Sequence, residues 1–203
     1  MLVSVDPSLR SSGVCAFSSD GQLVDFTVIR SDGLTAEDTL IHNGNRFIEF
    51  CDSLPYAPTK MVFEGLSFGA KSGEKDILWG NFWYLRCLAK IRYGVPTDIY
   101  QVSAWRSPLF TKADRLALKE SAKKLAEQKV PLKGLKGEIR KETIENNRVL
   151  ELAASIKEAT YVKLPESISM LFEDRIRNVG LPEPSKYDLA DAFFIGRHAF
   201  NSL

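Results

Sequence analysis

The sequence lacks the features of membrane, secreted and zinc-binding proteins. No stretch of its 203 residues approaches the roughly 18 consecutive apolar residues of a membrane span. Its opening residues read as a strand and a turn rather than as a secretion signal. Cys15, Cys51 and Cys87 stand singly in apolar stretches without CxxC spacing, which indicates buried free thiols and neither disulfides nor a zinc site. We therefore expect a cytoplasmic protein without a membrane span.

A strong charge of one sign is also missing from the chain as a whole, but not locally. The net charge is +1. Residues 106–148 contain twelve Lys and Arg against six Asp and Glu, whereas the remainder contains fifteen against twenty. A basic middle joined to a mildly acidic remainder indicates a face for a polyanion, although a solvated helical face gives the same count.

The order of apolar runs predicts an α/β fold. Residues 2–5, 13–17 and 23–29 are too closely spaced to pair in parallel, so we expect three antiparallel strands. Helices at 36–54 and 76–93 alternate with strands at 60–64 and 97–102. Helical patterns follow at 111–129, 138–159, 165–179 and 187–200, with a flexible basic link at 133–137. This pattern predicts one domain with a mixed five-stranded sheet flanked by helices.

Four carboxylates stand where this fold brings chain segments together. Asp6 and Glu64 each end an apolar strand, and Asp188 and Asp191 lie three apart on one face of the last helix. Four clustered carboxylates repel one another unless a cation neutralises them, and hard oxygen ligands suit Mg²⁺ or Mn²⁺. Two such ions about 4 Å apart can activate water and stabilise the departing oxygen of a phosphodiester.

Each carboxylate also has a purely structural explanation. Asp6 precedes Pro7 and can form an Asx turn, and Glu64 can be an exposed strand end. Asp188 suits the start of a helix, where a negative charge is favourable. Asp191 is harder to explain in this way, and the joint arrangement favours a metal site.

Three segments, SVDPSLRSSGVCAF, MVFEGLSFG and YDLADAFFIGRHAF, carry a family resemblance. Their order and spacing resemble the RuvC-like Holliday-junction resolvases of the ribonuclease-H-like superfamily, over roughly residues 1–102 and 185–200. The resemblance implies a ribonuclease-H-like fold, a homodimer, and two Mg²⁺ or Mn²⁺ ions held by Asp6, Glu64, Asp188 and Asp191. Ser8 departs from the pattern, because the family usually has glycine there.

The resemblance also implies residues that bind DNA. Phe68, in the loop after Glu64, corresponds to an aromatic residue that stacks at the junction crossover, although its spacing is one residue longer and a core role is equally open. His198 lies too far along its helix from Asp191 to share a metal, and is a candidate phosphate contact. The family places phosphate-neutralising basic residues after the fifth strand, where this chain has Lys112, Arg115, Lys119, Lys123 and Lys124. A solvated lysine-rich helix is the alternative.

Two regions bear on substrate and assembly. The basic helical segment at about 105–184 is longer than in compact bacterial members and resembles the enlarged region of some phage-encoded relatives. The family dimerises through the helix after strand four, which here is predicted at 76–93 and carries Trp79, Phe82, Trp83 and Leu85. These residues fit an interface, and plain core packing is the alternative.

We therefore expect a Mg²⁺- or Mn²⁺-dependent endonuclease that resolves four-way DNA junctions by paired nicks, in a bacterial cell or a phage-infected host cell. A ribonuclease-H-like nuclease acting on RNA–DNA hybrids or on other branched or flap DNA is the first alternative. A non-catalytic DNA-binding relative is the second. Actin-like and sugar-kinase ATPases share the fold but need a second domain, for which 203 residues are too few.

Overall fold

The computed structural model describes residues 1–65, 75–129 and 137–202. The strands are β1 (Leu2–Asp6), β2 (Ser11–Phe17), β3 (Leu23–Arg30), β4 (Lys60–Glu64) and β5 (Thr97–Tyr100). The helices are α1 (Ala36–Ser53), α2 (Lys75–Tyr93), α3 (Val102–Arg106), α4 (Lys112–Gln128), α5 (Gly137–Val162), α6 (Glu166–Val179) and α7 (Ser185–Asn201). Within these described ranges, no helix is long and apolar enough to cross a lipid bilayer.

The five strands form one mixed sheet in the order β3-β2-β1-β4-β5. β1 pairs antiparallel with β2, and β2 pairs antiparallel with β3. A tight hairpin turn connects β2 to β3. β4 pairs in parallel with β1 on one side and with β5 on the other. With helices on both faces, this is a ribonuclease-H-like fold, and the predicted fold class is confirmed.

The sheet separates two apolar layers. Val3, Val5 and Phe63 face α1 and α2, where they pack with side chains such as Phe47 and Phe82. The alternate strand positions face α7 and α6 and include Leu2, Cys15, Phe17 and Val62. Side chains alternate between the two faces of a strand, so the residue that follows Val5 on β1, and the one that follows Phe63 on β4, point toward α7.

One predicted strand is shorter than expected. The pattern predicts a strand at 97–102, but β5 ends at Tyr100 and α3 starts at Val102. The reason is that Tyr100 pairs with Glu64, the last residue of β4, so the next residues have no strand partner. The chain instead turns into a short helix that buries Trp105 at 2% exposure.

Helix α2 divides the four residues expected at an interface between the core and the surface. Phe82 and Leu85 are buried under the sheet, so the alternative of core packing holds for these two. Trp83 is 49% exposed and Trp79 is partly exposed. Cys87, on the same helix, is an exposed free thiol, unlike the buried Cys15 and Cys51.

Candidate metal centre

The end of the β1–β4 pair positions the first two carboxylates. Val5 on β1 lies opposite Phe63 on β4 in a parallel register, so Asp6 and Glu64 follow at the same edge of the sheet. Both side chains fall on the α7 face because their neighbours, Val5 and Phe63, fill the opposite face. The sequence-predicted pair therefore meets.

Helix α7 brings Asp188 and Asp191 to this edge because it packs unusually close to the strands. A Cβ atom at Gly13 on β2 would lie 2.0 Å from the backbone oxygen of Asp188, and one at Gly196 would lie 2.2 Å from the ring of Phe17. Buried Ser4 on β1 donates its hydroxyl hydrogen to the backbone oxygen of Ala192, at 2.6 Å. Small residues and buried hydrogen bonds thus set the distance between α7 and the sheet.

Three carboxylates form a compact cluster. One oxygen each of Asp6, Glu64 and Asp191 lie within 4.8 Å of one another. Burial, followed by the charge of Glu64, raises the pKa of Asp6 well above its usual range. Burial, followed by the charge of a neighbouring carboxylate in each case, raises the pKa of Glu64 and of Asp191 to about 7. The cluster is therefore under strong electrostatic repulsion when its members are ionised.

The predicted fourth carboxylate is close to this cluster but engaged elsewhere. Asp188 accepts a hydrogen bond from the Lys157 ammonium at 2.8 Å on Oδ1 and one from the Ser11 hydroxyl at 2.5 Å on Oδ2. The carboxylate oxygens grouped within 4.8 Å in the described part of the chain do not include those of Asp188. The sequence thus brought four acids to one region, and the structure divides them into three and one.

Two basic residues at the site were not anticipated from the sequence. Arg106, at the end of α3, donates from Nη2 to Asp191 Oδ2 at 2.7 Å and stacks over the ring of Trp105. Lys157, on α5, binds Asp188. Arg106 begins the basic stretch at 106–148 and Lys157 lies beyond it, and in neither case did the sequence context separate the residue from surface cations. The only signal in the sequence was the position of Lys157 beside Ile156 in a partly apolar helix.

The donor set fits a hard divalent cation. All three clustered ligands are carboxylates, the type that Mg²⁺ and Mn²⁺ prefer. Asp191 is 1% exposed, and its Oδ1 has no hydrogen-bond partner among the described residues. A buried carboxylate oxygen without a partner is costly unless something binds it, and a metal ion at the cluster satisfies this need. Asp6, Glu64 and Asp191 could therefore hold such an ion.

A cavity of about 710 Å³ opens at this cluster and contains part of the predicted DNA-binding set. Arg115 and Lys119 of α4 line it, together with Lys157 and Arg106. The remaining predicted basic residues are exposed on α4 and do not line this cavity: Lys112, Lys123 and Lys124. Of the basic residues predicted on α4, Arg115 and Lys119 thus share a cavity with the carboxylates.

Two further predicted DNA contacts lie apart from the cluster or outside the described residues. His198 packs edge-on against Tyr100, with ring centroids 5.0 Å apart, and lines a different cavity together with Trp105 and Phe194. Its role as a phosphate contact stays a prediction. Phe68 lies outside the described residues, so its predicted role in junction stacking also stays a prediction.

The chain is similar to solved structures but matches no family model and no curated protein. A structure of Thermus thermophilus RuvC in complex with Holliday junction substrate is similar at a TM-score of 0.46 and 15% identity, over 76% of this chain and 92% of that chain. A second Thermus thermophilus RuvC structure is similar at a TM-score of 0.45 and 16% identity, over 76% of this chain and 93% of that chain. Neither similarity reaches a TM-score of 0.5.

Proposed function

We propose that the protein is a metal-dependent, structure-selective endonuclease that cuts four-way DNA junctions by paired nicks, in a bacterial cell or a phage-infected host cell. The observation that carries the proposal is the cluster of Asp6, Glu64 and Asp191 in a cavity also lined by cations. Metal-dependent hydrolysis of a phosphodiester requires carboxylates that hold a divalent ion and, next to them, side chains that bind phosphate. The family resemblance of the segments around these acids supports the choice of a junction as substrate.

The metal ion, Mg²⁺ or Mn²⁺, would supply activation of water and stabilisation of negative charge at the scissile phosphate. The chain supplies its ligands, Asp6, Glu64 and Asp191, from two adjacent strand ends and one helix turn. Arg106 holds Asp191 in place by donating a hydrogen bond to its Oδ2. The other oxygen, Oδ1, has no hydrogen-bond partner among the described residues. The resemblance implies two ions, and the three clustered ligands are sufficient for one.

DNA would be bound largely through its backbone. Arg115 and Lys119 project from exposed positions on α4 and line the same cavity as the carboxylates. Contacts of this kind neutralise phosphates, which gives affinity and salt dependence but no choice of base sequence. Such binding suits an enzyme that selects its substrate by shape.

Paired nicking implies a homodimer, because two opposed strands require two active sites related by a twofold axis. The resemblance assigns this contact to α2. The apolar side chains that α2 leaves exposed are those of Trp83 and Ile91, at 49% and 81%, and they support this face as the interface. Gel filtration with light scattering on the wild type and on Trp83→Glu tests this assignment, with a monomer expected for the variant alone.

The deciding experiment is cleavage of a synthetic four-way junction in Mg²⁺ or Mn²⁺. The Asp6→Asn variant should lose at least about 100-fold in rate, because outer-shell partners of metal ligands already cost 10- to 100-fold. The matched control is Asp52→Asn, which replaces an acid on α1 that pairs with Arg92 far from the cluster. It should cut at the wild-type rate.

The substrate panel separates the proposal from its alternatives. Linear duplex, flap DNA and an RNA–DNA hybrid are tested beside the junction under the same conditions. Symmetric nicks in the junction, lost in Asp6→Asn, support a resolvase. Faster cutting of the hybrid or the flap supports the metal centre and contradicts the choice of a four-way junction as the substrate. Junction binding without cutting of any substrate contradicts the assignment as an enzyme.

A further inference from the structure

Lys157 makes a contact that the proposed function leaves unused. Its ammonium lies 2.8 Å from Asp188 Oδ1, and the other oxygen of Asp188 accepts from Ser11 at 2.5 Å. Both oxygens of this carboxylate are thus engaged by the chain itself. A metal ion that used Oδ1 of Asp188 as a ligand would lie beside the Lys157 ammonium, which repels it.

The position of Lys157 places its charge near the whole cluster and not only near its direct partner. Its ammonium is bound to Asp188 Oδ1, and the residue lines the cavity that Asp6, Glu64 and Asp191 also line. A cation at this position is attracted by each of these carboxylates when they are ionised. Lys157 is therefore a cation that the acids of the site share.

The charge balance of the four acids and the two cations bonded to them then calls for one divalent ion rather than two. When ionised, Asp6, Glu64, Asp188 and Asp191 carry four negative charges. The ammonium of Lys157 and the guanidinium of Arg106, which binds Asp191, offset two of these. One divalent cation on the three-carboxylate cluster neutralises the rest. A second divalent ion near Asp188 would lie close to a bound ammonium, and like charges at short distance repel strongly in a partly buried site.

We infer that the metal centre holds one divalent ion, on Asp6, Glu64 and Asp191, and that Lys157 takes the place of a second cation beside Asp188. This inference rests on the proposed function. It differs from the two-ion centre that the resemblance implies, and the difference comes from α5, in the long segment between β5 and α7. An ammonium has three N–H donors, and one of them is used on Asp188. The other two can donate to oxygen atoms of a phosphate that enters the cavity, where Lys157 forms part of the lining.

Metal stoichiometry tests this inference independently of cleavage. Mn²⁺ is titrated into the full chain by isothermal calorimetry, and the bound ion is examined by electron paramagnetic resonance. We expect one Mn²⁺ per chain in the wild type, without the spin coupling of a close ion pair. In Lys157→Met, which keeps most of the side-chain length and removes the charge, Asp188 Oδ1 becomes free, and we expect two ions per chain with spin coupling.

Two further variants make the result specific. Lys119→Met removes a lysine that lines the same cavity and makes no ion pair with a carboxylate among the described residues, and it should still bind one ion. Lys157→Arg keeps the positive charge and should also bind one ion per chain. It provides the comparison if Lys157→Met unfolds. Two coupled ions in the wild type overturn the inference, as does a single ion in a folded Lys157→Met.

The failure of the proposed function gives a different result. One bound Mn²⁺ in a wild type that cuts no nucleic acid contradicts the nuclease assignment and leaves the one-ion centre standing. A wild type that binds no Mn²⁺ overturns both. Loss of Mn²⁺ binding in Asp6→Asn, with binding unchanged in Asp52→Asn, places the single ion on the cluster.

Discussion

The close approach of Gly13 to Asp188 makes a quantitative prediction about how α7 is held against the sheet. In Gly13→Ala the new methyl carbon would lie 2.0 Å from the backbone oxygen of Asp188, whereas real Cβ atoms essentially never come within 3.0 Å of a neighbour. β2 and the first turn of α7 must therefore separate by roughly 1 Å, and overpacking of this kind costs about 1–3 kcal/mol. In a chain of this size, each kcal/mol lowers Tm by roughly 2–4 °C, so we expect a fall of about 2–12 °C.

The catalytic effect should be larger than the loss of stability suggests. The same turn carries Asp188, and Asp191 lies one turn further along α7. A displacement of about 1 Å at a catalytic group can cost on the order of 100-fold in rate. We therefore expect Gly13→Ala to remain folded, by circular dichroism and thermal melting, and to lose Mn²⁺ affinity and junction cleavage together.

A second glycine provides the matched control. A Cβ atom at Gly80 on α2 would lie 3.6 Å from Leu40, an ordinary van der Waals distance. Gly80→Ala should leave cleavage unchanged and raise stability by up to about 1 kcal/mol, because alanine is the better helix former. The reasoning is refuted if Gly13→Ala melts, binds metal and cuts like the wild type, since α7 would then not depend on this close approach.

Two further predictions concern pH and salt. Burial raises the pKa of Glu64 to about 7 from 4.5, so the folded chain binds more protons than the unfolded chain between these values and loses stability as pH rises through this window. In EDTA, the Tm advantage of Glu64→Gln over the wild type should therefore grow from pH 4.5 to about 7 and then level off; a constant difference contradicts this. The second prediction concerns the salt dependence of DNA binding, measured by fluorescence anisotropy. The double variant Arg115→Ala/Lys119→Ala should reduce the slope of log K against log salt by about 0.9 for each phosphate that is no longer neutralised. The control variant Lys90→Ala on α2 should keep the wild-type slope.

The sequence was sufficient to predict the two strand-end carboxylates and the sheet. Asp6 and Glu64 each end an apolar strand, and their combination with the paired aspartates of the last helix favoured a metal site over the structural explanation that each has alone. The strands themselves follow from local periodicity and short connections, so they can be derived without knowledge of the rest of the fold. The meeting of the two acids depends in addition on the parallel pairing of the first and fourth strands, which the register of Val5 and Phe63 shows.

The helical segment between β5 and α7 could not be predicted to the same depth. Its helices were expected, but which lysine or arginine reaches the carboxylates depends on how α5 packs against α7 and how α3 turns after β5. Arg106 belongs to the same basic stretch as Lys123 and Lys124, which are exposed on α4, and Lys157 lies outside that stretch. Charge counts identify a basic segment, whereas tertiary packing decides which cations reach the carboxylates.

The division of the metal ligands among β1, β4 and α7 has a consequence during protein synthesis. Asp6 and Glu64 leave the ribosome early, but Asp191 follows only after α5 and α6 have been made. In the proposed nuclease, a nascent chain would have both strand-end ligands long before it could bind the ion, and it would not cut nucleic acid until α7 had docked. A bound ion would then join three distant chain segments, as a cross-link does, and would add about 2.7 kcal/mol of stability when free metal is at 100 times its Kd. Activity and metal-assisted stability thus arrive in the same late step of folding.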